Sequence, residues 1–146
     1  MDEAGLGEVV GRSFPGGQFT IAPHEHWLTC DAVGAAPTRA GLAHPMYVYY
    51  AALGGMGLSL DELFALVDAT ADDGVMFGEA EITVDAPLRV GATYSVRGGI
   101  TAAERKSGRR AGVFDVLTFA LDVVDEHGVV CATSTNSFVF PRREAA

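Results

Sequence analysis

The chain has 146 residues, of which 49% are hydrophobic and 20% charged, and its formal net charge is −9 at pH 7. This length suits one ordinary domain with a hydrophobic core, and the composition excludes a disordered or fibrous chain. Nineteen acidic residues against ten basic ones argue against nucleic acid as a partner, because such a surface repels phosphate.

The sequence offers no membrane or secretion signal. No apolar run approaches the ~18–20 residues that a spanning helix needs. The acidic start MDEAG is followed by no apolar segment, so we expect no signal peptide and a cytoplasmic protein. Cys30 and Cys131 stand far apart without zinc-ligand spacing, so we expect two buried thiols, no metal site and no cofactor.

The first third of the chain alternates loops with short elements. We treat residues 1–146 as one domain, and we expect residues 1–13 and 141–146 to be loosely ordered. A short strand is predicted at 18–21 after a Pro-Gly-Gly turn signal. A helix opening with a proline is predicted over 23–33, followed by a loop rich in glycine, alanine and proline.

Two further helices follow. The segment 45–55 begins with a proline, ends with two glycines and is apolar nearly all round, which predicts a helix buried on most sides. Ser59 and Glu62 match a capping box at the start of the next helix. That helix carries one apolar stripe, formed by Leu60, Leu63, Phe64 and Val67.

The second half of the chain reads as sheet. Strands are predicted at about 76–86, 92–104, 112–125 and 129–140, with reversals at 107–108 and 126–128. Tight reversals leave no room for crossover helices, so the strands form an antiparallel meander. The expected fold class is therefore α+β, with an antiparallel sheet around one buried helix.

Three segments together resemble the MaoC-like hot-dog proteins. They are EAEITVDAPLRVGATY at 79–94, AHPM at 43–46 and GVVCATS at 128–134. In that family a strand leads into a "P-L/V-R-x-G-D-x-L" turn, "A-H-G-M" opens the buried central helix, and "G-x-x-V-A-x-A/G" forms the last strand. The resemblance covers about residues 7–140.

The resemblance implies a hot-dog fold and a thioester chemistry. Two hot-dog units pair through their sheets, and acyl-thioester sites lie at their interface. Family enzymes add water to a trans-2-enoyl thioester of CoA or acyl-carrier protein, or run the reverse dehydration. An Asp and a His act as general base and acid. A backbone N–H at a helix start polarises the thioester carbonyl.

The loop that supplies this Asp and His is not evident in the chain. Active members carry "A-T-G-D-x-N-P-x-H", whereas residues 32–39 read AVGAAPTR. Ala35 then stands at the Asp position, and only nine residues separate Gly34 from His44. The alternative to a missing loop is that residues 32–39 are aligned with the wrong part of the family motif. The resemblance is strongest to the substrate-accommodating half of two-part hydratases, whose partner half carries the dyad.

The candidate catalytic residues are His26, Asp31 and His44. His26 and Asp31 are offset by roughly 140° on a helix, so solvated helix residues are the favoured alternative to a replacement dyad. His44, at the entry to the buried helix, either bonds a thioester or pantetheine arm, or holds the helix start and the preceding loop.

The candidate substrate-binding residues are Tyr47, Tyr50, Gly54, Arg109 and Arg110. A buried tyrosine needs a partner for its hydroxyl, so we expect at least one tyrosine of this helix at a pocket or interface, with core packing as the alternative. Gly54 also suits helix termination. The two arginines are at a basic hairpin tip. This tip either binds the CoA phosphates or an acidic carrier protein, or it is an ordinary solvated turn.

Three functions follow. The first is a heteromeric MaoC-like enoyl-CoA hydratase or (R)-3-hydroxyacyl-thioester dehydratase, in which this subunit shapes the acyl pocket and is inactive alone. The second is a non-enzymatic hot-dog module that binds an acyl thioester or hydrophobic ligand. The third is a homodimeric enzyme of natural-product biosynthesis with repurposed residues.

Overall fold

The computed structural model describes residues 1–36 and 38–142. Its helices are α1 (Glu3–Glu8), α2 (Pro23–Ala32), α3 (Tyr47–Gly55) and α4 (Leu60–Ala65). Short 3-10 turns lie at Arg39–Gly41 and Ala71–Asp73. The strands are β1 (Gly17–Thr20), β2 (Met76–Val84), β3 (Thr93–Gly108), β4 (Gly112–Val124) and β5 (Val130–Arg142).

One antiparallel sheet carries the fold. Its strand order is β1-β3-β4-β5-β2, so β3, β4 and β5 form the predicted meander, and β1 and β2 lie at the edges. Helix α3 contacts all five strands. Alternate residues of β4 face it and are fully buried, namely Leu117, Phe119, Leu121 and Val123. The predicted α+β architecture, a sheet around one buried helix, is confirmed.

Helix α4 begins at the predicted capping box. The Ser59 hydroxyl accepts the N–H of Glu62, and the Glu62 carboxylate accepts the N–H of Ser59 over 2.8 Å. Hydrogen bonds from Ser59 lower the pKa of the Glu62 carboxyl. Leu63 and Phe64 bury the apolar stripe of the helix, while Leu60 is 45% exposed.

Residues 1–13 are not a loose lead-in, and that prediction is wrong. The Asp2 carboxylate accepts the N–H of Gly5 over 2.8 Å and so caps α1. Leu6 and Val9 then enter the hydrophobic core. The backbone continues along β3, where Gly11 donates to Ile100. The two core side chains and this backbone hydrogen bond hold the segment in place. Its glycines weaken the helical pattern in the sequence.

The predicted loose tail is likewise wrong at residues 141–142, which end β5. Residues 143–146 lie outside the described part of the chain. Arg142 donates to the Asp115 carboxylate over 2.7 Å and also to the carbonyls of Val67 and Asp68. These hydrogen bonds hold the segment that follows α4 against the end of the sheet.

A fully buried carboxylate organises that end of the sheet. Asp115 lies directly opposite Arg105 on β3 and accepts two hydrogen bonds from it, over 2.8 and 3.0 Å. Burial alone would raise the pKa of Asp115, but the hydrogen bonds from Arg105 and Arg142 outweigh it and hold that pKa below its ordinary value.

Candidate functional site

The junction of α2 and α3 is held by a buried histidine. His26 lies on α2 and is only 6% exposed. Its Nε2 accepts the backbone N–H of His44 over 2.9 Å, so this nitrogen is the acceptor of the pair. The Cys30 thiol, one helical turn along, lies 3.6 Å from the same nitrogen. The expectation that His26 is a solvated residue is therefore wrong, and its ring connects two parts of the backbone.

His44 closes the start of α3. Its Nδ1 accepts the N–H of Met46 over 3.2 Å. The next two N–H groups also have acceptors, since Tyr47 donates to the His44 carbonyl and Val48 to the Pro45 carbonyl. The resemblance implied a helix-start N–H turned toward a thioester carbonyl. In this chain, local acceptors already take the N–H groups of these three residues.

Asp31 is not brought to either histidine. It lies on an exposed part of α2, whereas His26 lies on the buried side. The exposed surface of α2 also carries Trp27 and Leu28, which are 58% and 55% exposed. Trp27 is thus not a core residue. The proposed dyad of His26 and Asp31 has no geometric basis in the described structure.

The candidate substrate-binding residues on α3 separate into two groups. Tyr47 is buried, and its hydroxyl shares a hydrogen bond with the Thr29 hydroxyl over 3.2 Å, so it stands in the core between α2 and α3. Tyr50 is 39% exposed and faces outward. A Cβ at Gly54 would meet the ring of Phe19 at 2.6 Å, so this glycine lets β1 approach the helix.

An aromatic row that sequence reasoning missed runs from α2 to the edge of the sheet. The ring of Tyr47 lies 5.4 Å from His26 and 5.5 Å from Tyr50. Tyr50 continues to Tyr49 at 5.9 Å, and Tyr49 meets Phe77 on β2 at 6.1 Å. We call the outward part of this row, Tyr49, Tyr50 and Phe77, together with the exposed Met46 that precedes α3, the aromatic surface. The register shift between Phe77 and Ala80 interrupts the alternation of β2, so no sequence pattern indicates that Phe77 joins this row.

The other two candidates stand at the far tip of the β3–β4 hairpin. Arg109 and Arg110 are exposed there. Arg110 lines an open cleft of about 600 Å³ together with Arg142 and Pro141. The structure does not bring these arginines to His26 or His44, which belong to the α2–α3 junction.

The two cysteines are buried free thiols, as predicted. Burial raises the pKa of the Cys131 thiol, so it stays protonated at neutral pH and lacks the thiolate that a nucleophile needs. It lines a cleft of about 730 Å³ that also contains Arg89, Tyr94 and His127. Burial likewise raises the pKa of the Tyr94 phenol, whose oxygen accepts the N–H of Arg89.

Neither a metal cluster nor a membrane helix is found in the described residues. Across 1–36 and 38–142, no three His, Cys, Asp or Glu side chains are grouped to hold a metal ion. None of the helices in the same residues has the length and apolar character to cross a membrane.

Comparison with solved structures identifies the fold. The ChsH1-ChsH2 complex from Mycobacterium tuberculosis aligns with a TM-score of 0.70 and 12% identity, over 98% of this chain and 93% of that chain. The chain has the hot-dog fold. The HadBC (3R-hydroxyacyl-ACP dehydratase) complex from the same organism aligns at 0.66 and 14%, over 90% and 96%. A MaoC-like dehydratase from Rhodospirillum rubrum aligns at 0.53 and 17%, over 93% and 94%. No family model and no curated protein matches the sequence.

Proposed function

We propose that this chain is a MaoC-like, cytoplasmic subunit of an enoyl-thioester hydratase or (R)-3-hydroxyacyl-thioester dehydratase. In this proposal it shapes the acyl pocket, and a second hot-dog subunit supplies the general acid and base. The observation that carries the proposal is the bond between the His26 ring and the His44 N–H, because it occupies Nε2 of the buried imidazole at the α2–α3 junction and gives that nitrogen a structural role.

Hydration of an enoyl thioester needs two proton transfers. A base takes a proton from water as the oxygen attacks C3, and an acid delivers a proton to C2 of the enolate. Nε2 of His26 is occupied, Nδ1 of His44 accepts from Met46, and Asp31 lies on the exposed side of α2. The ring nitrogen of each histidine that accepts a backbone N–H is therefore not available as the base, and Asp31 is not on the buried side of α2 with His26.

The same junction is suited to an acyl chain. The aromatic surface borders the α3 start and is partly exposed, with Met46 at 38%, Tyr50 at 39% and Phe77 at 48%. Contiguous exposed apolar groups mark contact sites for apolar ligands or partner surfaces. Covering this surface with a second hot-dog unit would enclose it and leave room for an acyl chain between the two units.

Two of the solved structures that share this fold are described as complexes, ChsH1-ChsH2 and HadBC, the latter a (3R)-hydroxyacyl-ACP dehydratase. These assemblies support, by analogy of fold, a second hot-dog subunit as the partner and an acyl thioester of CoA or carrier protein as the substrate.

The test is reconstitution with the second subunit. The neighbouring genes are searched for a short hot-dog chain with an intact D-x-N-P-x-H loop, the two chains are co-expressed, and hydration of crotonyl-CoA and longer enoyl-CoAs is measured. We expect activity in the complex, its loss when the partner's Asp or His is replaced by Ala, and a raised KM for the longer substrates in Tyr50→Ala. If the complex binds acyl-CoA by calorimetry and hydrates none, the chain is a binding module and the proposal is wrong.

A further inference from the structure

The tip of the β3–β4 hairpin concentrates positive charge in an acidic chain. Five of the ten basic residues lie near this tip or on the end of β5 beside it, namely Arg105, Lys106, Arg109, Arg110 and Arg142. No acidic residue occurs between Arg105 and Phe114. Since the whole chain has a net charge of −9, this end is basic within an otherwise acidic chain. Such segregation of charge indicates an anionic ligand or partner.

The two carboxylates of the hairpin nearest the tip are already paired. Glu104 lies 3.0 Å from the Lys106 ammonium. The buried Asp115 is shared by Arg105 and Arg142, at 2.8 and 2.7 Å. One carboxylate thus serves two guanidinium groups, and one positive charge of this trio stays unbalanced within it.

The cleft beside the tip has only basic residues among its charged lining residues. Arg110 and Arg142 line this cleft of about 600 Å³, and its other walls are uncharged, with Ser107 and Gly112 among them. Two other clefts in the described residues are each lined by two acidic residues, Asp68 and Asp73 in one of about 420 Å³, and Asp125 and Glu126 in the one of about 730 Å³. The tip cleft therefore suits an anion better than either of them does.

Both arginines of the tip cleft have N–H groups left for a ligand. A guanidinium carries five N–H groups, and Arg142 uses one on each of its three nitrogens, to Asp115, Asp68 and Val67. One N–H on each of its two terminal nitrogens remains. Arg110 is exposed, and across residues 1–36 and 38–142 its side chain forms no salt bridge or hydrogen bond. Guanidinium groups bind phosphate oxygens through two parallel N–H bonds.

We propose that the tip cleft binds a small phosphorylated molecule, whose phosphate is held by the guanidinium groups of Arg110 and Arg142. A CoA nucleotide and a free phosphorylated compound present this same chemistry. A concave cleft with small residues in its walls suits a compact anion, whereas a carrier protein needs a broad surface of about 800 Å².

The tip cleft lies away from the α2–α3 junction. The chain before α3 is held at the β2–β3 turn, where the N–H of Ala43 donates to the Leu88 carbonyl. That turn precedes β3, and the hairpin tip follows the other end of the same strand. The inference is therefore independent of the proposed function.

The experiment is a titration of the full chain at low salt, followed through the amide NMR shifts of residues 107–112. The probes are pyrophosphate, CoA, and pantetheine, which carries no phosphate. We expect saturable shifts with the first two, with dissociation constants of about 1 mM or lower, and none with pantetheine. Binding of CoA about tenfold tighter than that of pyrophosphate identifies a nucleotide as the ligand, and equal affinities identify a free phosphorylated compound.

Three variants of equal net charge locate the site. Arg110→Gln removes one of the two guanidinium groups, so we expect pyrophosphate to bind about tenfold more weakly. Arg109→Gln makes the same change at the neighbouring exposed position, which does not line the cleft. Arg12→Gln makes it at an exposed position of the N-terminal segment. Both controls should keep the dissociation constant within about threefold of the wild type.

Three results would overturn the proposal. One is an absence of saturation by pyrophosphate up to about 10 mM. Another is equal weakening by Arg109→Gln and Arg110→Gln, which would show a diffuse basic surface in place of a site. The third is Arg110-dependent binding of an acyl carrier protein while neither phosphate probe binds, which would assign the tip to a protein partner. Circular dichroism verifies that each variant folds, and none of these results depends on hydratase activity.

Discussion

The Nε2 atom of His26 accepts the backbone N–H of His44 over 2.9 Å, and this bond joins α2 to the start of α3. A buried N–H without an acceptor is costly, so the imidazole is part of the framework of the junction. The residue that the sequence offers as a base is therefore a backbone acceptor.

Replacing His26 by alanine tests this role. We expect the free energy of unfolding to fall by about 2 kcal/mol, because a buried hydrogen bond and a packed ring are both lost. Urea denaturation measures the change. His24→Ala, at an exposed position of the same helix, should change stability by no more than about 0.5 kcal/mol. Equal effects of the two variants would show that the His44 N–H needs no acceptor.

The two tyrosines of α3 provide a second comparison. Tyr47→Phe removes the hydroxyl that bonds to Thr29 in the core, and we expect it to cost about 1 kcal/mol of stability. Tyr50→Phe alters only an outward-facing ring on the aromatic surface, so its thermal unfolding should match that of the wild type. If Tyr50→Phe lowered the unfolding temperature more than Tyr47→Phe does, Tyr50 rather than Tyr47 would be the tyrosine whose hydroxyl stabilises the core.

Gly54 is expected to be a packing glycine. In Gly54→Ala the new Cβ meets the Phe19 ring at 2.6 Å, and we expect a loss of about 1–3 kcal/mol from overpacking. Gly7→Ala, in α1 with nothing within 4 Å of its Cβ, should be neutral or stabilising by up to about 1 kcal/mol. Adding Phe19→Leu to Gly54→Ala should recover part of the loss, which denaturant titration of the double variant would reveal.

The buried Asp115 gives the stability a defined pH dependence. Its folded pKa lies below the ordinary value of 3.8, so its charged form stabilises the fold above that value and the contribution disappears as the pH falls through the folded pKa. At neutral pH we expect Asp115→Asn to lose about 3 kcal/mol, since two arginines lose their charged partner. The difference between wild type and variant should shrink as the pH falls below 3.8. A constant difference across the acid range would contradict this account, and Asp31→Asn, at an exposed site, is the control.

The strands and the capping box could be predicted because their signals are local. The reversals between strands and the Ser59–Glu62 pair each depend on residues close in the sequence. Helix α1 was missed since two of its six residues are glycines, and its stability comes from the Asp2 cap and from tertiary burial of Leu6.

The candidate site was harder to predict because the residues that α2 buries are not its most hydrophobic ones. His26 and Cys30 are buried, while Trp27 and Leu28 on the same helix are exposed. The helix therefore shows no amphipathic pattern from which the role of His26 could be inferred. Asp115, Arg105 and Arg142 meet only once three strands are in register, so spacing along the chain gives no sign of their contact.

The most direct measurement of the central claim is the turnover of crotonyl-CoA by the purified wild-type chain alone, followed after addition of the second subunit that carries the D-x-N-P-x-H loop. The account predicts no hydration above the uncatalysed rate from the isolated chain, and hydration that rises with added partner to saturate at an equimolar ratio. Full hydratase activity of the isolated chain, with no increase on adding the partner, would contradict it.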